Sequence, residues 1–395
     1  MIVPHRIVFG NGSARNVRDE ARTLGAKSIL LVAGSHIVKS AVLTGIMRSL
    51  RARGSKVHIF SEVEPEPSIE TADHVAEKVR ERRFDLVCGV GGGSVMDIAK
   101  IASMMATNTG KVRKYLGVDL INRPGLPKIL VPTTAGTGSE MTPNAIIGTH
   151  DGTKAAIISN YAMAETAIVD PMLTLSLPPR HTASSGVDAL THAVESHISL
   201  DANPITDLLS LRAVELIARY LPTVFSKPGD VEARSAMALA SMMAGISIAN
   251  AGTCSGHAAA YGYAGKYKIP HGFSVGIALP YILEFSLASC QRKAEAIAEA
   301  LGERAPHLGS ADAARQTVIA IVRLMKRVEC PMSLSQMDIP REDIGSIARG
   351  MLKMTRLLVH NPRPIDESDA VRIVTRMWEG TLDCGQPTKP LDAGG

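Results

Sequence analysis

The stretch Leu86-Val87-Cys88-Gly89-Val90-Gly91-Gly92-Gly93-Ser94-Val95-Met96-Asp97-Ile98-Ala99-Lys100 decides the fold class. Its first five residues form a short apolar run of the kind that fills a strand buried on both faces. Three glycines and a serine follow. Apolar side chains then recur at helical spacing, at Val95, Ile98, Ala99 and Ala102. Strand, glycine turn and helix in that order make one βα unit of a parallel sheet. The glycines clear side chains from the turn, so that backbone N–H groups can approach an anion. The helix N-terminus adds the positive end of its dipole. Ser94 is placed to cap that helix and to donate to a phosphate. The same turn also occurs with no ligand, and the GxGxxG spacing is absent, so the glycines alone leave both readings open.

On either side of this unit lie further short apolar runs: Ser28–Val32, Lys56–Ser61, Ile129–Pro132 and Ala167–Asp170. Amphipathic stretches separate them, which predicts an α/β half built on a parallel, Rossmann-like sheet covered on both faces. A second polar loop, Thr133-Thr134-Ala135-Gly136-Thr137-Gly138-Ser139-Glu140, follows the run ending at Pro132. Hydroxyls and glycines beyond the carboxyl end of a strand suit a ribose or a diphosphate. Past about residue 177 the pattern changes. Pro178 and Pro179 punctuate the chain, and Ala-, Leu- and Met-rich stretches predict helices over Ile205–Tyr220, Val231–Asn250, Arg315–Val328, Ile344–Leu358 and Ser368–Trp378. The expected boundary therefore lies near residue 177, with an all-α half beyond it and a loose tail over 386–395.

Composition narrows the classes. The 395 residues are 45% hydrophobic and 21% charged, an ordinary globular balance for a chain long enough to hold two cores. The formal net charge of +5 is scattered rather than massed, and aromatics make up only 4%, so no nucleic-acid partner is expected. Five widely spaced cysteines without a CxxC argue against a disulfide framework. The N-terminus lacks the pattern of a signal peptide. No uncharged apolar run reaches the roughly 18 residues of a membrane span. A cytoplasmic protein with no membrane partner is the expectation.

Asp188 and His192 stand four residues apart, which on a helix puts both side chains on one face. His257 lies in a Gly- and Ala-rich segment compatible with a helix. His271 lies between Pro270 and Gly272, in an expected turn. One carboxylate and three imidazoles suit Fe²⁺ or Zn²⁺ with a coordination position left open, as a Lewis acid requires. Each of these residues alone is as easily a helix contact or a hydrogen-bonded core histidine. His197, about 140° round the helix from His192, is set aside on that ground.

The combination resembles the iron-containing (group III) alcohol dehydrogenase family. The resemblance rests on FGNGS at 9–13, GGGSVMDIAK at 91–100, PTTAGTGSE at 132–140, IVDPMLT at 168–174, DALTHAVESHIS at 188–199, IPHGFSVGIALP at 269–280 and NPRP at 361–364. It implies an α/β dinucleotide-binding domain over 1–177 and a helical metal-binding and substrate domain over 178–395, with the active site in the cleft between them. It implies Asp188, His192, His257 and His271 as metal ligands. It implies Gly91, Gly92, Gly93 and Ser94 as a diphosphate cradle, with Asp97 in the same motif, and Thr133, Thr134 and Thr137 as a second cofactor loop. Asn144 falls where the family lines its substrate pocket. The implied activity is metal-dependent, NAD(P)(H)-linked hydride transfer on a small alcohol or aldehyde, in a chain expected to form a homo-oligomer.

Two positions depart from the family's pattern. Four residues after His257, where the family commonly has a histidine that relays the alcohol proton, stands Tyr261. An ordinary phenol titrates near pH 10 and an imidazole near 6.5, so Tyr261 is a hydrogen-bond donor or a pocket filler before it is a base. Tyr261 and the ligand His271 are the catalytic candidates. The second departure is Gly34, after the first long strand, where members preferring NAD carry an aspartate for the ribose hydroxyls. With no carboxylate to repel a 2′-phosphate, and with Ser35 and His36 beside it, NADP(H) is favoured over NAD(H). Rival readings are a hydroxyacid–oxoacid transhydrogenase of the same family, compatible with Tyr261, and a lyase like dehydroquinate synthase, whose ligand mix differs.

Overall fold

A computed structural model describes residues 1–35, 37–52, 54–149, 153–303 and 310–384. The phosphate candidate His36 and the tail from residue 386 lie outside the described residues. The chain divides into two compact units, Met1–Leu177 and Pro178–Gly395.

The first unit is built on strands β1 (Arg6–Phe9), β2 (Ser28–Ala33), β3 (Lys56–Phe60), β4 (Leu86–Gly91), β5 (Gly117–Val118), β6 (Lys128–Pro132), β7 (Asn144–Gly148), β8 (Lys154–Ile158) and β9 (Thr166–Val169). Six of these form a wholly parallel sheet in the order β1-β9-β6-β4-β2-β3. Helices α1 (Val17–Thr23), α2 (Ala41–Arg51), α3 (Ile69–Glu81) and α4 (Gly93–Met105) complete the unit. The period of two along a strand explains the two cores. Ile29, Leu31 and Ala33 join Val17, Leu43, Ile46 and Leu50 on one face. Leu30 and Val32 join Val75, Val79, Ile98 and Ile101 on the other.

The five sequence-predicted runs correspond to β2, β3, β4, β6 and β9 within a residue or so. Sequence reasoning did not anticipate β1 or the small second sheet β5-β8-β7, in which β7 and β8 pair antiparallel. Two of the quoted motifs are structural. The Asp170 carboxylate of IVDP accepts from Gly12 N at 2.8 Å and Ala14 N at 3.0 Å, which ties FGNGS to the end of β9.

The second unit is helical: α5 (Pro179–Ile198), α6 (Pro204–Ser226), α7 (Val231–Ala251), α8 (Ser255–Tyr261), α9 (Ala264–Tyr267), α10 (His271–Ala300), α11 (Ser310–Arg327), α12 (Ile344–Leu352), α13 (Thr355–Leu358) and α14 (Glu367–Glu379). Two expectations are corrected. The helix foreseen over Ile344–Leu358 is broken at Met354, whose φ −83° and ψ 48° leave the helical region. His271 does not lie in a turn. It is the first residue of the long α10, because Pro270, with φ −51° and ψ 132°, sets the extended entry to that helix. Among the described residues α10 is the one single helix long and apolar enough to cross a membrane, and most of its apolar stretch is buried within the fold.

Candidate metal centre and nucleotide loops

In the second unit, α5 delivers Asp188 and His192 from adjacent turns. The seven-residue α8 delivers His257, and the first turn of α10 delivers His271. Asp188, His192 and His257 are all buried, at 2%, 4% and 3% exposure, and offer one donor atom each within 4.8 Å of one another. The His192 and His257 rings stack, with centroids 4.8 Å apart and planes 17° from parallel. His271, one quarter exposed, flanks the trio: its Nε2 lies 3.7 Å from Asp188 Oδ1, as does His192 Nε2. Its ring meets His257 edge-on at 5.5 Å. The Tyr261 ring, at the end of α8, lies 6.2 Å from that of His271.

The donor set can be tested for fit to a cation. Asp188 Oδ1 and His257 Nε2 are buried and make no hydrogen bond. A buried oxygen and a buried nitrogen left unpaired within one such group cost several kcal/mol together, of the order of ~1–3 each. A divalent ion shared by them removes that cost, and carboxylate with imidazole is a donor mix that Fe²⁺ and Zn²⁺ accept. His197 also has an unpaired Nε2, but its Nδ1 is spent on Asp207 at 3.1 Å and Ser210 at 3.2 Å, a core arrangement as foreseen.

Sequence reasoning missed Glu195. It lies on α5, fully buried, and its carboxylate pairs with His257 Nδ1. Its other oxygen accepts from Gly256 N at 2.6 Å and His257 N at 3.4 Å. Its spacing of seven from Asp188 puts it on the ligand-bearing face of the helix, the one signal of it in the sequence.

In the first unit, the glycine turn sits between β4 and α4, as its sequence implies. The hydroxyl loop leaves the neighbouring strand β6 and folds beside it. Thr133 N donates to Gly91 O at 2.9 Å. A Cβ placed on Gly92 would lie 3.4 Å from Thr134 Cγ2, and one on Gly93 would lie 2.7 Å from Thr137 Cγ2. Thr133, Thr134 and Thr137 are half-buried, as are Gly92 and Gly93.

One sequence expectation changes here, and two further candidates, Asp97 and Asn144, are placed by their partners. Ser94 does not cap α4. The helix begins two residues earlier, at Gly93 with Gly92 as its N-cap, and Ser94 Oγ accepts from Glu66 N at 3.1 Å. Asp97 is buried, and both its oxygens are engaged, by Ser139 Oγ at 2.6 Å and Ile146 N at 3.1 Å. Asn144 opens β7 and its carbonyl accepts from Lys100 Nζ at 2.6 Å.

Lys100 itself was not singled out. Wholly buried on α4, it also donates to Ser139 Oγ at 2.8 Å and Thr142 Oγ1 at 3.1 Å, which fastens the hydroxyl loop to the glycine helix. Burial pushes its ammonium down to about 8 against the pull of Asp97 and Glu140, and pushes the Glu140 carboxyl up to about 7.

A glycine-and-hydroxyl cradle and a buried carboxylate–imidazole centre are each found in many proteins. Carried by one chain, in these two kinds of unit, they mark the class of metal-dependent, nicotinamide-linked alcohol oxidoreductases. The chain belongs to the iron-containing alcohol dehydrogenase family: the family's N-terminal model matches residues 4–171 and its C-terminal model residues 182–378. It is 38% identical over 386 residues to long-chain-alcohol dehydrogenase 1 of Geobacillus thermodenitrificans, covering 95% of this chain and 98% of that one. The solved structure of a 1,3-propanediol oxidoreductase superposes with a TM-score of 0.93 at 33% identity, covering 95% of this chain and 99% of that one. A sulfoacetaldehyde reductase from Bifidobacterium kashiwanohense in complex with NAD⁺ gives a TM-score of 0.85 at 29% identity, covering 95% and 97%. The protein is an alcohol dehydrogenase, an oxidoreductase acting on alcohol and aldehyde groups.

Proposed function

We propose that this enzyme interconverts a small alcohol and its aldehyde with NADP(H), using one Fe²⁺ held by Asp188, His192, His257 and His271. The observation that carries the reading is the pair of unpartnered buried donors, Asp188 Oδ1 and His257 Nε2, in a single cluster. Bound there, such an ion supplies Lewis acidity to the substrate oxygen, and a bound nicotinamide supplies or accepts the hydride.

The chain's own residues do the rest. Asp188 and His192, on adjacent turns of one helix, hold their donors in fixed register. The N–H groups of Gly92 and Gly93, at the start of α4, would hold an anionic diphosphate, and the hydroxyls of Thr133, Thr134 and Thr137 would add donors to it. Asp97 and Lys100 position that loop rather than touch the cofactor. Tyr261 would serve as a hydrogen-bond donor to the substrate, and Asn144 is a separate substrate-lining candidate. Gly34, which carries no acid, leaves room for a 2′-phosphate. Zn²⁺ is the alternative ion, and a homo-oligomer is part of the reading.

Rigorous chelation under anaerobic conditions abolishes activity on this account, and added Fe²⁺ restores it. Full activity in a metal-free preparation overturns it.

A further inference from the structure

Resting on the reading of Asp188, His192, His257 and His271 as a cation site, we infer that Glu195 is a positioning residue that fixes the tautomer of His257, and so sets how tightly the site binds a metal ion. Asp188, His192 and Glu195 follow at i, i+4 and i+7, so one helix face carries two proposed ligands and, one turn on, the carboxylate that reaches His257.

That carboxylate does two things. One oxygen accepts from the backbone N–H groups of Gly256 at 2.6 Å and His257 at 3.4 Å. These belong to the first turn of α8, whose N-cap residue Cys254 offers no side-chain cap. Glu195 thus caps α8 from another helix and sets where His257 begins its reach. The other oxygen contacts His257 Nδ1. A carboxylate accepts and does not donate, so Nδ1 must carry the ring proton. The lone pair is then on Nε2, the atom that is buried, without a hydrogen-bond partner and beside Asp188 and His192. In the other tautomer an N–H would point at the ion. Gly256 belongs to the same device: a Cβ there would lie 2.7 Å from Glu195 Oε1, so any side chain drives the carboxylate out of place.

Glu195→Gln separates the two duties. The Gln carbonyl oxygen still accepts from Gly256 N and His257 N. Its amide donates toward Nδ1, which must then accept, and the ring proton moves to Nε2. The metal-free variant is expected to melt within a few degrees of the metal-free parent. Its affinity for Fe²⁺ or Zn²⁺, read by competition with a chromophoric chelator, is expected to fall about 10- to 100-fold. Long-range ¹H–¹⁵N NMR of histidine-labelled protein is expected to move one ring proton from Nδ1 to Nε2.

Parental metal affinity in Glu195→Gln overturns the inference, as does an affinity loss matched by an equal loss of metal-free stability. If Glu195→Gln does not fold, Gly256→Ala takes its place, with at least tenfold weaker metal binding expected and unchanged binding overturning it. A parent protein that binds neither ion sinks the cation site itself, a separate failure that the first titration reveals.

Discussion

Gly93 lies so close beneath Thr137 that a methyl group on it would sit 2.7 Å from the threonine Cγ2, closer than two carbons pack. The two loops that leave adjacent strands β4 and β6 are therefore fitted to one another. Gly93→Ala must displace Thr137, at a cost of the order of 1–3 kcal/mol for an overpacked contact. We expect NADPH to bind about tenfold or more weakly in fluorescence titration, with metal affinity unchanged. Unaltered NADPH binding would separate this loop from the cofactor.

Gly34 tests the cofactor preference. A Cβ at this position would meet only Val95 Cγ2, at 3.4 Å, so the backbone leaves room for a side chain to begin there. The added carboxylate repels a 2′-phosphate and accepts from ribose hydroxyls. Gly34→Asp is expected to raise KM for NADPH about tenfold and lower it for NADH. A parent that already prefers NADH, or a variant with unchanged preference, contradicts the NADP(H) reading.

Tyr261 stands 6.2 Å ring to ring from His271, which puts it close to the proposed metal centre. Tyr261→His supplies a group that titrates near 6.5 in place of a phenol. The pH profile of kcat/KM for alcohol oxidation is expected to gain a limb between about pH 6 and 7, with faster oxidation above it. An identical profile in both proteins would show that the residue takes no part in proton transfer.

His197 gives a pH dependence unrelated to turnover. Burial, with Lys293 nearby and against the attraction of Asp207, pushes its imidazolium down to about 4. Between the ordinary 6.5 and about 4 the unfolded chain binds the proton and the folded one does not. The stabilisation is complete above pH 6.5 and drains as pH falls through that window. Urea midpoints are expected to drop from pH 7 to pH 4.5 more steeply in the parent than in His197→Asn. Parallel slopes would refute it.

How far the sequence reaches can be seen residue by residue. The run Leu86–Val90 and the turn after it were legible because a buried parallel strand needs apolar side chains on both faces and a glycine turn needs no tertiary context. Asp188 and His192 were legible because helical spacing is local. Glu195 was not, since its partner lies 62 residues away on another helix, and its one local signal, the spacing of seven from Asp188, would be shared by any glutamate on that helix face. Lys100 was hidden for the same reason: a lysine is ordinarily solvated, and only the fold shows this one buried among hydroxyls. Ser94 was misread because a serine after glycines satisfies the capping pattern, whereas the helix starts two residues sooner. The second sheet escaped notice because β7 and β8 are five residues each and only partly buried.

Metal binding at Asp188 is the property on which the proposed chemistry depends. The decisive measurement is a ferrous iron titration of the metal-free protein and of Asp188→Ala, with bound metal counted by elemental analysis after gel filtration. A single tightly held ion per chain in the parent, lost in the variant while its circular dichroism is unchanged, is the predicted result. Equal iron content in both proteins, or none in either, would contradict it.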